Sequence, residues 1–340
     1  MQDTISHPRR QLQFRLRTLL IIVLIVAIVL GWIASERRQI AARQTAFQEA
    51  GLSWYCVMSQ PAWRLAILGE DPGRATNISS SHETTDAGLA LLKDHAHVKL
   101  LKLDGLPITD AGLAHLDRLK QLEWLDLSDT TITDAGLVHL NGMTQLNELF
   151  LGNTQVADAG LVYLKGMTKL HGLCLGGAQI TDNGLVHLKG LTELQWLTLE
   201  RTRITSDGLV HLKELCALQY KILSEKKTGD VTLIHLAPLN TLYLRDTAIT
   251  DSGLVHLAGL VKLTHLELDN TAITDAGLTH LKGLVHLQRL GLSGTQVSDV
   301  GLAHLKGLID LQALDIQGTR VTDAGVAEFR NAVPHVVISR

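Results

Sequence analysis

The feature that most constrains this chain is a motif that recurs every 24 residues. The sequence TDAGL begins at Thr85, Thr109 and Thr133, and variants of it continue almost to the C-terminus. The motif aspartates lie at positions 86, 110, 134, 158 and 182, and again at 251, 275, 299 and 323. A fixed period of this length is typical of solenoids, in which each unit buries its apolar side chains only against its neighbours.

Each unit follows the consensus T-D-A-G-L-x-H-L-K-G-L-x-x-L-x-x-L-x-L-x-x-T-x-I. Its L-x-L part predicts a short strand with both leucines on one side, because strand side chains alternate with a period of two. The first Thr can cap a helix, and the Asp beside it suits the positive end of the helix dipole. The later Thr, as at Thr130 and Thr154, is expected to satisfy turn amides that would otherwise be buried without a partner.

The motif TDxGL followed by L-x-x-L-x-L resembles the leucine-rich-repeat family, and its cysteine-containing subclass in particular, with Thr where that subclass has Cys. The chain also resembles bacterial membrane-anchored leucine-rich-repeat proteins through its FRLRTLL start and its VPHVVIS end. The resemblance implies an α/β leucine-rich-repeat solenoid, a horseshoe with a parallel concave sheet and a helical convex side. It also implies a module that binds another protein or a peptide.

An uncharged stretch near the N-terminus predicts one transmembrane helix before the solenoid. Residues 18–35, TLLIIVLIVAIVLGWIAS, would rise about 27 Å as a helix, close to the ~30 Å thickness of the bilayer core. Four arginines precede this stretch and three follow it, which favours a cytoplasmic N-terminus and extracytoplasmic repeats. The alternative is a signal peptide cleaved after Val29-Leu30-Gly31, which would release a secreted protein.

These patterns divide the chain into consecutive parts. We expect a basic cytoplasmic N-terminus (1–17), a transmembrane anchor (18–35), a helical linker and N-terminal cap (36–84), ten leucine-rich repeats (85–321) and a C-terminal cap (322–340). Helix formers dominate the linker up to Gly51, and Leu52–Met58 has the bulk and branching of a short strand. Such a cap would cover the exposed first edge of the solenoid.

The residues before, between and after the two strand leucines face outward, and together they are the expected recognition surface. Most aromatic residues of the repeats fall at these positions, and exposed aromatic side chains are frequent anchors of binding. The candidate ligand-binding residues are Trp124, Asp126, Phe150, Trp196, Glu200, Tyr220, Tyr243 and Arg245. The alternative is that leucine occupies every interior position, so that any aromatic residue must lie outside.

One unit, between residues 216 and 240, breaks the pattern. Lys221 and Lys226 stand where a strand leucine and a turn threonine belong, and the following unit is three residues short. Lysines cannot be buried there without partners, so the segment is expected to bulge outward. It is either a decayed repeat or a loop that contacts a partner through Lys221, Lys226 and Lys227.

Other chemistries have little support in the sequence. The net charge is −3, and acidic residues outnumber basic ones at the outward strand positions, which argues against nucleic acid as a partner. Histidine recurs at one helix position, as at His115 and His139, but packing explains a position that follows the structural period better than a metal site does. The common hydrolase, zinc-protease and phosphate-loop motifs are missing, so we expect no enzyme activity, metal or cofactor. The alternative function is a structural cell-envelope protein without a specific ligand.

Overall fold

The main structural element is one β-sheet, to which all the described strands belong. The computed structural model describes residues 8–55, 77–80, 84–212 and 239–340, with side chains for 21–53, 77–79, 84–212 and 239–340. Within these residues, twelve strands form one sheet in chain order. The first two pair antiparallel and later neighbours pair parallel. The strands are β1 Leu52–Tyr55, β2 Asn77–Ser80, β3 Leu100–Lys102, β4 Trp124–Asp126, β5 Glu148–Phe150, β6 Gly172–Cys174, β7 Trp196–Thr198, β8 Thr241–Tyr243, β9 His265–Glu267, β10 Arg289–Gly291, β11 Ala313–Asp315 and β12 Val337–Ser339.

One long helix precedes the sheet, and the other described helices are short and lie between strands, close to the TDAGL-type motifs. The α-helices are α1 Pro8–Glu49, α2 Asp86–Leu89, α3 Asp110–Leu113, α4 Asp182–Leu185, α5 Asp251–Leu254, α6 Asp275–Leu278, α7 Asp299–Leu305 and α8 Asp323–Ala332. The 3₁₀ helices are Ala90–Asp94, Ala114–Leu116, Gly136–Leu140, Asp158–Leu164, Val186–Gly190 and Thr279–Leu281. The expected α/β solenoid with a parallel sheet is therefore confirmed, and its helical side mixes α and 3₁₀ turns.

The core is one continuous aliphatic cluster between the sheet and these helices. It runs from Phe47 and Leu52 near the end of α1 to Val336 before β12, and the paired strand leucines of the repeats belong to it. At the first edge, the Thr84 hydroxyl donates to the Gly51 carbonyl oxygen at 3.0 Å. At the last edge, α8 buries Phe329 completely. Both edges of the core are thus covered by residues outside the repeats.

The motif aspartate ties each unit to the next one. Asp110 Oδ1 accepts a hydrogen bond from the Thr133 amide at 2.8 Å, and Oδ2 accepts one from the Thr133 hydroxyl at 2.7 Å. The same two contacts occur in Asp86–Thr109, Asp158–Thr181, Asp182–Thr205, Asp251–Thr274, Asp275–Ser298 and Asp299–Thr322. The sequence predicted only a favourable interaction with the dipole of its own helix. The carboxylate has a second role, because it is a hydrogen-bond acceptor between units.

The motif glycine makes room for this aspartate. A Cβ atom at Gly136 would lie 2.4 Å from Asp110 Oδ1, and one at Gly112 would lie 2.2 Å from Asp86 Oδ1. Atoms that are not bonded to each other cannot approach so closely. The constant spacing of Asp and Gly in TDxGL therefore reflects a contact between adjacent units.

The later threonine of each unit bonds differently from the prediction. Thr130 donates its hydroxyl proton to the Leu127 carbonyl at 2.6 Å, and Thr154 donates to the Leu151 carbonyl at 2.7 Å. Both threonines are buried, so the hydroxyl satisfies a buried carbonyl and not turn amides. The residue before each of them, Asp129 or Asn153, has a φ of 57° or 53°. Asn and Asp tolerate this left-handed conformation better than most residues.

The period breaks between β7 and β8. Gly172 pairs with Trp196, 24 residues later, but Trp196 pairs with Thr241, which is 45 residues later. β7 and β8 are therefore direct neighbours in the sheet, although the count of ten repeats places one more unit between them. Most of that predicted unit, residues 213–238, lies outside the described residues. At this junction Ser206 takes the place of the motif aspartate, and its Oγ accepts a hydrogen bond from the Thr250 amide at 3.0 Å.

The predicted membrane span, residues 18–35, falls within α1. Among the side chains that the structure describes, no helix is both long enough and apolar enough to cross a membrane. The described apolar stretch begins at Ile21 and is followed by the charged residues Glu36, Arg37 and Arg38. The predicted transmembrane helix is therefore not confirmed.

Ala157 offers a test of the contact between units, since it stands where other units have Thr. Its amide donates to Asp134 Oδ1 at 2.7 Å, but alanine has no hydroxyl for the second oxygen. Its φ of −125° is close to the −116° of Thr181, so a threonine fits the backbone there. We expect Ala157→Thr to raise the free energy of unfolding by about 1 kcal/mol, the contribution of one hydrogen bond, measured by chemical denaturation. The control is the same change in an Asp134→Ala background, where an equal gain would contradict the assignment.

Candidate functional site

The outward side of the sheet, which we call the concave face, consists of the residues before, between and after the strand leucines. On β4, Trp124 and Asp126 flank the fully buried Leu125. The parallel register aligns such residues from neighbouring strands in columns. One column contains Trp124, Glu148, Gly172, Trp196, Thr241 and His265, and the next contains Asp126, Phe150, Cys174, Thr198, Tyr243 and Glu267.

Three aromatic side chains contact each other on this face. The ring centroids of Trp124 and Phe150 are 5.2 Å apart, and those of Phe150 and Trp196 are 5.3 Å apart. The rings are tilted by 49° and 43°, and the three side chains are half-buried. Centroid distances in this range are typical of attractive aromatic pairs. The sequence placed these residues on one face, and the structure joins them into one group, the aromatic cluster.

A glycine allows the aromatic cluster to extend across β6. A Cβ atom at Gly172 would lie between 2.1 and 2.3 Å from three atoms of the Trp196 indole. The indole therefore lies directly over the strand that separates β7 from Phe150. At the other end of the cluster, Trp124 Nε1 donates to Glu148 Oε2 at 3.0 Å. These contacts hold both indoles in place, and sequence reasoning missed the role of Gly172.

A second group, the charged cluster, contains Glu200, Arg245, Glu267 and Asp269. Arg245 Nε lies 3.7 Å from Glu200 Oε2 and 3.5 Å from Asp269 Oδ2. Arg245 Nη2 lies 3.4 Å from Glu267 Oε2. One guanidinium group thus faces three carboxylates. Sequence reasoning selected Glu200 and Arg245 but missed Glu267 and Asp269. The signal that could have found them is the pair of acidic residues two positions apart at the end of β9.

The charged cluster is crowded with negative charge. Burial raises the pKa of Glu267 to about 7, and hydrogen bonding and repulsion from Asp269 act in the same direction, whereas Arg245 opposes them. Asp269 is itself buried, and its Oδ1 accepts a hydrogen bond from the Ser293 amide at 2.8 Å. A Cβ atom at Gly291 would lie 2.0 Å from Glu267 Oε2, so glycine leaves the space that this carboxylate occupies.

The remaining predicted site residues have separate positions. Asp126 lies on the concave face, and its Oδ1 accepts a hydrogen bond from the Ser128 amide at 2.9 Å, so it shapes the turn after β4. Tyr243 lies half-buried on β8, in the same column as Phe150 and Glu267. The last four candidates, Tyr220, Lys221, Lys226 and Lys227, lie outside the described residues.

Cysteine and histidine have no evident role at this site. Cys174 has a free thiol on β6, and burial raises the pKa of that thiol, so it stays protonated at neutral pH. Within the described ranges, no three His, Cys, Asp or Glu side chains come together in a way that could hold a metal ion. Of the recurring histidines, His139 places Nδ1 3.0 Å from Asp117 Oδ1.

Comparison with known proteins supports the repeat type. The family model described as Leucine Rich repeat matches residues 122–140 and 260–281, within the repeat array. No match to this chain was found among curated protein sequences. These two matched stretches agree with the solenoid architecture that the strand order and the contacts between units show.

Several solved structures are similar to this chain. An internalin from Listeria monocytogenes is 20% identical with a TM-score of 0.43, over 78% of this chain and 86% of the internalin. Internalin C2 from the same organism is 27% identical with a TM-score of 0.46, over 67% of this chain and 84% of that one. A leucine-rich-repeat protein of Leptospira interrogans is 17% identical with a TM-score of 0.44, over 74% of each chain.

Proposed function

We propose that this chain is a non-enzymatic scaffold that binds another protein or a peptide with its concave face. The observation that carries the proposal is the aromatic cluster, in which Trp124, Phe150 and Trp196 lie in contact on the outward side of the sheet. Aromatic side chains, Trp and Tyr above all, are enriched among the residues that contribute most to protein–protein binding.

The cluster is more than a set of aromatic residues excluded from a leucine core. Exclusion alone would leave each ring without a specific neighbour, whereas Trp196 crosses β6 over Gly172 to reach Phe150. At the other end of the cluster, the Trp124 indole is oriented by the hydrogen bond that it donates to the Glu148 carboxylate. A rigid aromatic surface loses little conformational freedom when a partner binds, which favours affinity. This arrangement supports recognition over a purely structural role in the cell envelope.

We expect partner capture to depend on the aromatic cluster. The full-length chain is immobilised and exposed to an extract of the cells that produce it, and the captured proteins are quantified by mass spectrometry. Trp124→Ala/Trp196→Ala should lose at least 90% of the specific partners, because truncating an anchor residue costs about 2 kcal/mol or more.

The matched control for capture is Val138→Ala/Val162→Ala. These valines are each 44% exposed and lie on 3₁₀ helices away from the strands, so their loss removes apolar surface elsewhere. Capture of the same partners by the aromatic variant and the wild type would contradict the proposal. That result would favour a structural envelope protein.

We also propose that residues 18–35 anchor the protein in a membrane, with the repeats on the extracytoplasmic side. The sequence supports this with an uncharged run and with the arginines that precede it. The described part of that run supports it as well, since the large apolar side chains from Ile21 to Leu30 are between 46% and 62% exposed. A helix that is apolar on all sides has no face that favours water.

The anchor predicts that the full-length chain stays in the membrane pellet after an alkaline carbonate wash. Leu24→Arg/Ile28→Arg should move most of it to the supernatant, since each charge near the centre of a span costs about 3 kcal/mol. The matched control, Val255→Arg/Val261→Arg, changes two exposed valines of the repeats and should leave the chain in the pellet. A wild-type chain found in the supernatant, with an N-terminus near Trp32, would instead indicate a cleaved signal peptide.

A further inference from the structure

The described part of the concave face has an imbalance of charge. Its positions before, between and after the strand leucines of the repeats hold seven acidic and three basic residues. The whole chain has 34 acidic and 31 basic residues. The excess of negative charge is therefore concentrated on the face that carries the aromatic cluster.

This excess is greatest around Arg245. Its guanidinium lies between 3.4 and 3.7 Å from three carboxylates, those of Glu200, Glu267 and Asp269. The Nε atom of Arg245 is buried and has no hydrogen-bond partner. Its contacts with Glu200 and Asp269 are therefore ion pairs without a hydrogen bond. On its other side, Glu200 Oε1 lies 3.5 Å from Arg201 Nη2. Three carboxylates thus face two guanidinium groups, and one negative charge remains when all the groups are ionised. Glu267 and Asp269 have only Arg245 between them.

The aromatic and charged clusters are continuous. Trp196 and Thr198 lie on the same side of β7, because strand side chains alternate. Glu200 follows two residues after Thr198, and both side chains lie beside Gly176 on this face. Trp196 and Glu200 are four residues apart, which is about 13 Å along an extended strand. Gly176 has no side chain to cover Glu200, because a Cβ atom at Gly176 would already lie 3.0 Å from Glu200 Cγ. A single extended segment is long enough to touch both clusters.

We propose that the partner presents a basic segment, with a Lys or Arg side chain against the charged cluster and a large apolar side chain against Trp196. The proposal rests on the function proposed above and names the chemistry of its ligand. Complementary charge favours a cationic partner, because it supplies the positive charge that Arg201 and Arg245 together do not. The raised pKa of Glu267 agrees with this, since an added cation would stabilise its ionised form. An extended segment would place its basic and apolar residues within about five positions of each other.

A selection of displayed peptides tests this inference. A library of random twelve-residue peptides is panned on the immobilised full-length chain in detergent at physiological salt, and the enriched sequences are synthesised with a fluorescent label. We expect the enriched peptides to contain Lys or Arg near an aromatic or large aliphatic residue. Their affinity should fall at least tenfold on the Glu200→Gln/Glu267→Gln variant and also on Trp196→Leu.

The control variant is Glu123→Gln, which removes an exposed carboxylate paired with Lys99 outside the concave positions and should leave binding unchanged. Thermal unfolding of each variant, monitored by circular dichroism, establishes that it is folded. A charge exchange adds a second test: Glu200→Lys should bind a peptide whose basic residue is changed to Glu better than the original peptide.

The outcomes separate the two proposals. Peptides that depend on Trp196 but not on Glu200 and Glu267, or that carry no basic residue, would overturn the basic-segment inference and leave the binding face intact. Peptides that depend on neither set of residues, or no enrichment over an uncoated surface, would overturn both. Dependence on both sets together with rescue by the charge exchange would support the inference.

Discussion

The structure depends on one repeated contact, in which an aspartate of one unit bonds to the first residues of the next. Asp110 bridges to the amide and hydroxyl of Thr133, and Gly136 gives its carboxylate the space to do so. The hydroxyl of Thr133 then accepts a hydrogen bond from the amide of Ala135, so each contact also caps the next helical turn. Since a short unit buries too little apolar surface to fold alone, contacts between units decide whether the array forms.

This contact lies at the start of the helical side of each unit, away from the strand residues that face outward. The leucines and the Asp–Thr–Gly contacts hold the stack together, so the outward strand positions are free to vary. They hold an indole at Trp196, a glycine at Gly172 and a carboxylate at Glu267 without any change in strand pairing. In the proposed function, the specificity of recognition therefore lies in the outward side chains that do not repeat along this regular array.

The period and the alternation of strand side chains were enough to predict the regular part of the molecule. The parallel sheet, the buried strand leucines and the shared face of Trp124, Phe150 and Trp196 all belong to this part. The contact of Trp196 with Phe150 was not predictable, because it depends on the missing side chain of Gly172. The ion pairs of Arg245 with Glu267 and Asp269 were missed because they join residues that are neighbours only across strands.

The regular period ends where the pattern is degenerate. The repeat count places a strand after Leu212, in a region outside the described residues, and β7 pairs with β8 across a separation of 45 residues instead of 24. The second role of the motif Asp was missed because this residue was interpreted within one unit, and the turn Thr donates to a carbonyl of its own unit instead of satisfying turn amides. A hydrogen bond between units leaves no mark in the sequence of a single unit. Ser206 shows this well, because it keeps the bond to Thr250 without an aspartate.

The contact between Asp and Gly can be tested by adding one methyl group at each of two glycines. Gly136→Ala puts this group against Asp110 Oδ1, whereas Gly166→Ala puts it where nothing lies within 4 Å. The free energy of unfolding, measured by chemical denaturation, should fall by about 2–3 kcal/mol for Gly136→Ala. For Gly166→Ala it should change by less than about 1 kcal/mol. Equal effects of the two substitutions would contradict the claim that this contact holds the units together.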